Sequence, residues 1–160
     1  MKIGICQINP TVGAISKNMQ LILDYYNRSV SLGAELVVFP ELALTGYPPQ
    51  DLLLRDEFLK KTANALDEIA KRASTSMILG STLVDKNNLF NCSFLCENGK
   101  IVGYYKKILL PTYDVFDEDR YFKSGSGPSV FELTISGQTK RIGLQICEDL
   151  WDHNYSKDLA

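Results

Sequence analysis

The chain has 160 residues, 45% of them hydrophobic and 22% charged, with a formal net charge of −2. That length supports one domain with a real core, or part of a larger one, and the near-neutral balance gives no reason to expect nucleic acid or an anionic membrane as a partner. No apolar run approaches the roughly 20 residues a membrane span needs, and the opening Met1 to Ile8 has no signal-peptide layout, so a cytoplasmic protein is expected.

Lys2 to Gln7 reads as a first strand, closed by Asn9-Pro10 and a turn at Gly13. Ser16 suits the N-cap of a helix whose Met19, Ile22, Leu23, Tyr26 and Val30 form an apolar stripe, and Gly33 suits its stop. A short buried strand, Leu36 to Phe39, follows. Strand, helix and strand in this order predict a right-handed parallel βαβ unit. That second strand runs into Pro40 and then Glu41, a carboxylate where a buried strand meets a loop that Gly46-Tyr47-Pro48-Pro49 keeps from being helix or central strand. By itself such a residue is as compatible with a solvated loop carboxylate as with a catalytic one.

The spacing from Phe58 to Ala73 predicts a second helix over the same sheet. The rhythm then changes to period 2. Met77 to Val84 and Phe90 to Cys96 are strands joined at Lys86-Asn87-Asn88, and Asn98-Gly99 predicts a type I′ hairpin with Lys100 to Tyr105 returning antiparallel. The sheet should therefore be mixed. Ile108 to Pro128 has no clean period, yet its Tyr113, Phe116, Tyr121 and Phe122 argue against disorder, and aperiodic segments of this length in compact domains are commonly functional. A further hairpin, Val130 to Ile135 and Arg141 to Ile146 around Ser136-Gly137, delivers Cys147 to a strand end ahead of a predicted helix. Asp152 to Ala160 resembles the opening of a helix that stops without an apolar partner, so the chain is expected to be the N-terminal part of a longer domain.

Cys6, Cys92, Cys96 and Cys147 are expected to be reduced, since no secretory signal precedes them. Cys92 and Cys96 share a strand face about 13 Å apart, too far to bond. His153 is the only histidine and no Cys-x-x-Cys pair exists, so no metal site is expected. Cys147 differs by position. A helix N-terminus would lower its pKa, the Glu148 N–H could donate to an oxyanion, and without a histidine in a motif-like setting another base must activate the thiol. Glu41 can serve. Of Lys106 and Lys107, a lysine carried into the site would lower the thiol's pKa and stabilise an oxyanion, whereas an ordinary pair of this kind is a solvated strand end.

Phe39-Pro40-Glu41, Tyr105-Lys106-Lys107-Ile108-Leu109-Leu110-Pro111 and Cys147-Glu148-Asp149 occur in this order, each at a strand end. The set resembles the carbon–nitrogen hydrolase (nitrilase) superfamily, whose members use a Glu-Lys-Cys triad. The stretches Thr45 to Arg55 and Leu110 to Phe122 look more narrowly like the amidase (glutaminase) domain of glutamine-dependent NAD⁺ synthetases. The resemblance implies a nitrilase-type α-β-β-α sandwich with mixed sheets, here incomplete, over residues 1–160. It implies Glu41 as general base, Lys107 as oxyanion-stabilising lysine and Cys147 as nucleophile. Tyr113, Phe116 and Glu148 match positions that bind glutamine, and Glu118 is either a supporting carboxylate or a partner of Arg120. No cofactor is implied for this chain. ATP and Mg²⁺ belong to the synthetase domain, which is absent from the sequence and would receive the ammonia, in a parent enzyme implied to be a homo-oligomer. Two alternatives stay open: a stand-alone amidase for another amide, and an inactive fragment or interaction module.

Overall fold

The computed structural model describes residues 1–152. The expected helix from Asp152 to Ala160, and His153 with it, lies outside the described residues beyond position 152. The strands are β1 (Ile3–Ile5), β2 (Leu36–Val38), β3 (Ser76–Asp85), β4 (Asn88–Glu97), β5 (Lys100–Lys106), β6 (Ser129–Ile135) and β7 (Gln138–Leu144). The α-helices are α1 (Ile15–Ser31) and α2 (Asp56–Lys71). Strands β1 to β5 form one mixed sheet in sequence order, β1-β2-β3 parallel and β3-β4-β5 antiparallel, while β6 and β7 pair as a separate antiparallel hairpin.

Strand periodicity divides the core in two. Val37, Met77, Leu79, Phe94 and Cys96 turn to the helical face and meet Ile22, Leu23, Tyr26, Leu66, Ile69 and Ala70 of α1 and α2. Their neighbours Leu36, Ile78, Leu95 and Tyr105 turn the other way and meet Leu133, Ile135 and Leu144 of the β6–β7 hairpin and Ile146 just beyond it. The result is helices, sheet and second sheet in layers, the mixed α/β arrangement expected. Each aliphatic side chain buried this fully is worth about 1.5–3 kcal/mol. Ile3 and Ile5 on β1, 44% and 77% exposed, mark sheet surface that the described residues leave uncovered.

The turns follow the residues. Lys86-Asn87, Asn98-Gly99 and Ser136-Gly137 all take positive φ at both central positions, the backbone a two-residue hairpin needs. Ser16, in contrast, does not cap α1. The helix begins a residue earlier behind Ala14, which offers no side-chain cap. Its first turn is instead held by buried Asn18, whose amide donates to Thr11 O at 2.8 Å and Leu44 O at 3.0 Å and whose Oδ1 accepts the Thr11 N–H at 2.9 Å. This ties the helix start to the loop that carries Glu41.

Candidate active site

Glu41 follows the end of β2, where the Phe39 N–H still bonds Ile78 O at 2.9 Å. Leu42 then adopts φ 48° and the chain turns sharply, closed by Gly46 N–H to Leu42 O at 2.9 Å. This turn crosses β3 at Gly80. A Cβ there would lie 2.3 Å from Pro40 O, 2.5 Å from Leu42 N and 2.8 Å from Glu41 Cα, so only glycine lets the Glu41 backbone pass this close.

The two lysines at the end of β5 part ways. Lys106 pairs with Asp85 at 2.8 Å and lies over the Phe90 ring at 3.9 Å, a half-exposed structural role. Lys107 takes the opposite face and is 1% exposed. Its Nζ donates to Glu41 Oε1 at 2.7 Å and to Glu118 Oε1 at 2.9 Å. Glu118 comes from the aperiodic stretch, which closes on itself: Gly125 N–H bonds Lys107 O at 2.8 Å, Lys123 N–H bonds Leu89 O at 2.8 Å, and Glu118 N–H bonds Pro111 O at 3.0 Å. The Tyr47 hydroxyl donates to Glu118 at 3.2 Å. Arg120 faces Asp51 and Asp117 instead, so the alternative pairing of Glu118 with Arg120 does not form.

Cys147 follows β7 with φ 48°, a left-handed conformation costly for a residue with a side chain. Cys147 opens a 3₁₀ turn, Cys147–Trp151, the last element among the described residues. Buried Asp149 secures that turn. Its carboxylate accepts the Ile146 N–H at 3.1 Å, the Ile108 and Leu109 N–H groups at 3.2 and 2.8 Å, and the Tyr105 hydroxyl at 2.7 Å. One carboxylate thus locks the cysteine turn to the segment right after Lys107. Of the four cysteines, Cys147 alone is exposed. Burial pushes the Cys92 and Cys96 thiols up to about 12.

At the site mouth the Tyr113 hydroxyl donates to Glu148 at 2.8 Å, and the Tyr113 and Phe116 rings meet edge to face, 5.7 Å between centroids. Two hollows flank the charged cluster. Glu41, Cys147, Gly80, Ser93 and Gln145 border one, about 390 Å³, between the two sheets. Tyr47, Phe116 and Glu118 border the other, about 220 Å³.

Two carboxylates sharing one ammonium set the electrostatics. Burial works to lower the Lys107 pKa, but the charges and hydrogen bonds of Glu41 and Glu118 overcome it and hold the ammonium above its ordinary value. Burial, aided by the Glu41 charge, raises Glu118 against the pull of Lys107. Cys147 is raised as well, first by burial and next by Glu41, with Lys107 opposing. This corrects the expectation of a lowered thiol: burial and the Glu41 charge each outweigh the Lys107 ammonium, and Glu118 and Glu148 add to them. Among the described residues, no group of three or more His, Cys, Asp or Glu side chains is arranged to hold a metal ion.

The structure therefore brings Glu41, Lys107 and Glu118 into direct contact, places Cys147 on the border of the same hollow as Glu41, and joins Tyr113 to both Glu148 and Phe116, Phe116 bordering the second hollow with Glu118. Four contributors were not singled out from the sequence. Gly80, inside a strand run, carried a readable signal, since an interior strand glycine marks close backbone approach. Tyr47 and Asp149 lie in stretches that carry the resemblance, but their roles, like that of Asn91, arise from partners distant in the chain.

Residues 2–160 match the carbon-nitrogen hydrolase family. The chain belongs to that family. It is 40% identical to a glutamine-dependent NAD(+) synthetase of Synechocystis sp. over 94% of the chain and 28% of the relative, and 36% identical to one of Thermotoga maritima over 95% and 26%. In structure it resembles glutamine-dependent NAD⁺ synthetase from Acinetobacter baumannii with TM-score 0.91 and 34% identity, covering 98% of this chain and 29% of that one. An amidase from Nesterenkonia sp. shares the fold, with TM-score 0.80 and 24% identity over 94% of this chain and 56% of that one. This carbon-nitrogen hydrolase chain thus spans under a third of the synthetases it matches, and aligns with their nitrilase-like part. Among the described residues, no helix is long and apolar enough to cross a membrane.

Proposed function

We propose that this chain is a glutamine amidohydrolase acting through a cysteine thioester, and that it supplies ammonia to a synthetase domain or chain that uses ATP and Mg²⁺ to convert deamido-NAD⁺ to NAD⁺ in the cytoplasm. The observation that carries the reading is the Glu41–Lys107–Glu118 cluster beside an exposed cysteine in a left-handed strand–turn. A raised thiol pKa means that Cys147 rests protonated at neutral pH and needs a base at the moment of attack. Glu41, the foremost negative charge acting on that thiol, is the base.

In the proposed reaction Glu41 takes the thiol proton as sulfur attacks the side-chain amide carbon of glutamine. Lys107, kept charged by its two carboxylates, stabilises the oxyanion. Glu118 holds the ammonium in place from the far side. Glu41 returns the proton to the leaving nitrogen and ammonia departs, leaving a γ-glutamyl thioester. Glu41 then deprotonates water, which cleaves the thioester to glutamate, and the proton returns to sulfur. The Tyr113–Glu148 pair beside Phe116 offers a carboxylate for the substrate's α-ammonium and an aromatic wall for its chain. The relatives named as glutamine-dependent support this substrate.

An enzyme-coupled assay for ammonia and glutamate tests the reading. Equal amounts of both from glutamine, little from asparagine or simple aliphatic amides, and none from Cys147→Ala are expected. Preferential hydrolysis of another amide would replace glutamine as the substrate.

A further inference from the structure

Asn91 lies on β4 and is fully buried. Its carbonyl accepts the Lys107 N–H at 2.9 Å, and its side-chain Nδ2 donates to Glu41 Oε1 at 2.7 Å. That oxygen also receives Lys107 Nζ at 2.7 Å, while no hydrogen bond reaches Glu41 Oε2 among the described residues. A carboxylate only accepts, so the amide nitrogen must face it and Oδ1 must turn away. Oδ1 has no donor among the described residues. An asparagine buried to satisfy its surroundings would have both ends paired. Here one end goes unpaired, at a cost, while the other holds a carboxylate.

We propose, on the hydrolase reading above, that Asn91 is a positioning residue for Glu41: with Lys107 it pins Oε1, and so assigns Oε2 as the oxygen that exchanges a proton with the Cys147 thiol. The amide does what ammonium alone cannot. A lysine on a flexible stem can follow a carboxylate through a rotation, whereas an amide planted in a central strand fixes its orientation. The charged and titratable groups around Glu41 are Lys107 from the end of β5, Glu118 and Tyr47 from the two loops, and Cys147 after β7.

The test combines the ¹³C-carboxyl chemical shift of Glu41, read by NMR on the full chain at fixed neutral pH, with glutamine turnover, the Glu41 signal being the one lost in Glu41→Gln. Asn91→Ala is expected to move that chemical shift, because a donor to the carboxylate is gone. Turnover should fall about 10- to 100-fold in kcat with KM within about twofold, since the interaction serves the transition state. Adding Asn91→Ala to Glu41→Gln should cost nothing further. Asn91→Ser, which retains a hydroxyl donor, should recover part of both effects, and it supplies the same comparison if the alanine variant does not fold. An unmoved Glu41 chemical shift, or losses that multiply in the double variant, would overturn the role of Asn91. A displaced Glu41 signal in a chain that never turns over glutamine would uphold Asn91 and sink the hydrolase reading; turnover with an unmoved signal would do the reverse.

Discussion

Glu41 Oε1 and Lys107 Nζ stand 2.7 Å apart although 66 positions separate them in the chain. With Glu118 on the other side at 2.9 Å, two carboxylates share one buried ammonium. Replacing Lys107 by Met leaves both acids facing each other, and breaking such a buried arrangement costs about 3–5 kcal/mol. Urea unfolding at neutral pH measures it. The loss should be full well above the ordinary carboxylate range and begin to shrink above that range as pH falls through the raised value of Glu118, because protonating it removes the repulsion. The wild-type chain has the opposite alkaline behaviour. The Lys107 pKa is raised by folding, so its contribution is present below about 10.5 and disappears as pH climbs through the higher folded value. A Lys107→Met chain as stable as wild type at neutral pH would contradict the shared-ammonium description.

Cys147 should be the single thiol that iodoacetamide reaches in the native chain, since Cys6, Cys92 and Cys96 are buried. Its rate of alkylation, followed by intact mass, should inflect above the ordinary thiol value of about 8.5. Glu41→Gln should lower that inflection and Lys107→Met should raise it, following the signs of the two charges. An inflection at or below the ordinary value would mean that a lowered thiolate, rather than a base-assisted thiol, is the reactive species.

Gly80→Ala tests the crossing of the Glu41 turn over β3. The added methyl meets backbone on three sides, at 2.3, 2.5 and 2.8 Å, and none of those atoms can swing aside as a side chain would. Destabilisation of about 1–3 kcal/mol is expected, together with loss of glutamine turnover as Glu41 leaves Lys107. Unchanged stability and turnover would show that the turn tolerates displacement.

The layered fold was largely legible in the chain. Alternating Phe90-to-Cys96 and the Asn98-Gly99 turn announced the antiparallel strands, and the stripe through Ile22 and Tyr26 announced α1. Element ends were less so: β7 stops at Leu144 rather than Ile146, because Asp149 draws Ile146 out of the ladder and into the cysteine turn. Pairing Glu41 with Lys107 rests on the resemblance to a family with a Glu-Lys-Cys triad, since strand-end position alone leaves Lys106 and Lys107 equivalent. Asn91 could not be proposed, because a polar residue in the middle of an alternating strand looks like any solvent-facing position until the 107–125 loop covers it. Asp149 was hidden for the same reason. Its four donors come from Tyr105, Ile108, Leu109 and Ile146, and three of these lie about forty positions away. The sign of the Cys147 pKa shift also needed the fold, since it depends on how many carboxylates gather around one lysine.

The most direct measurement is covalent capture of the site. The native chain is incubated with a diazoketone analogue of glutamine, whose reactive carbon occupies the place of the amide, and the product is digested and sequenced by mass spectrometry. One adduct per chain on Cys147 is expected, protected by excess glutamine, slowed in Lys107→Met and absent in Cys147→Ala. A folded chain that forms no adduct, or one whose adduct persists in Cys147→Ala, would contradict a catalytic Cys147 served by Glu41 and Lys107.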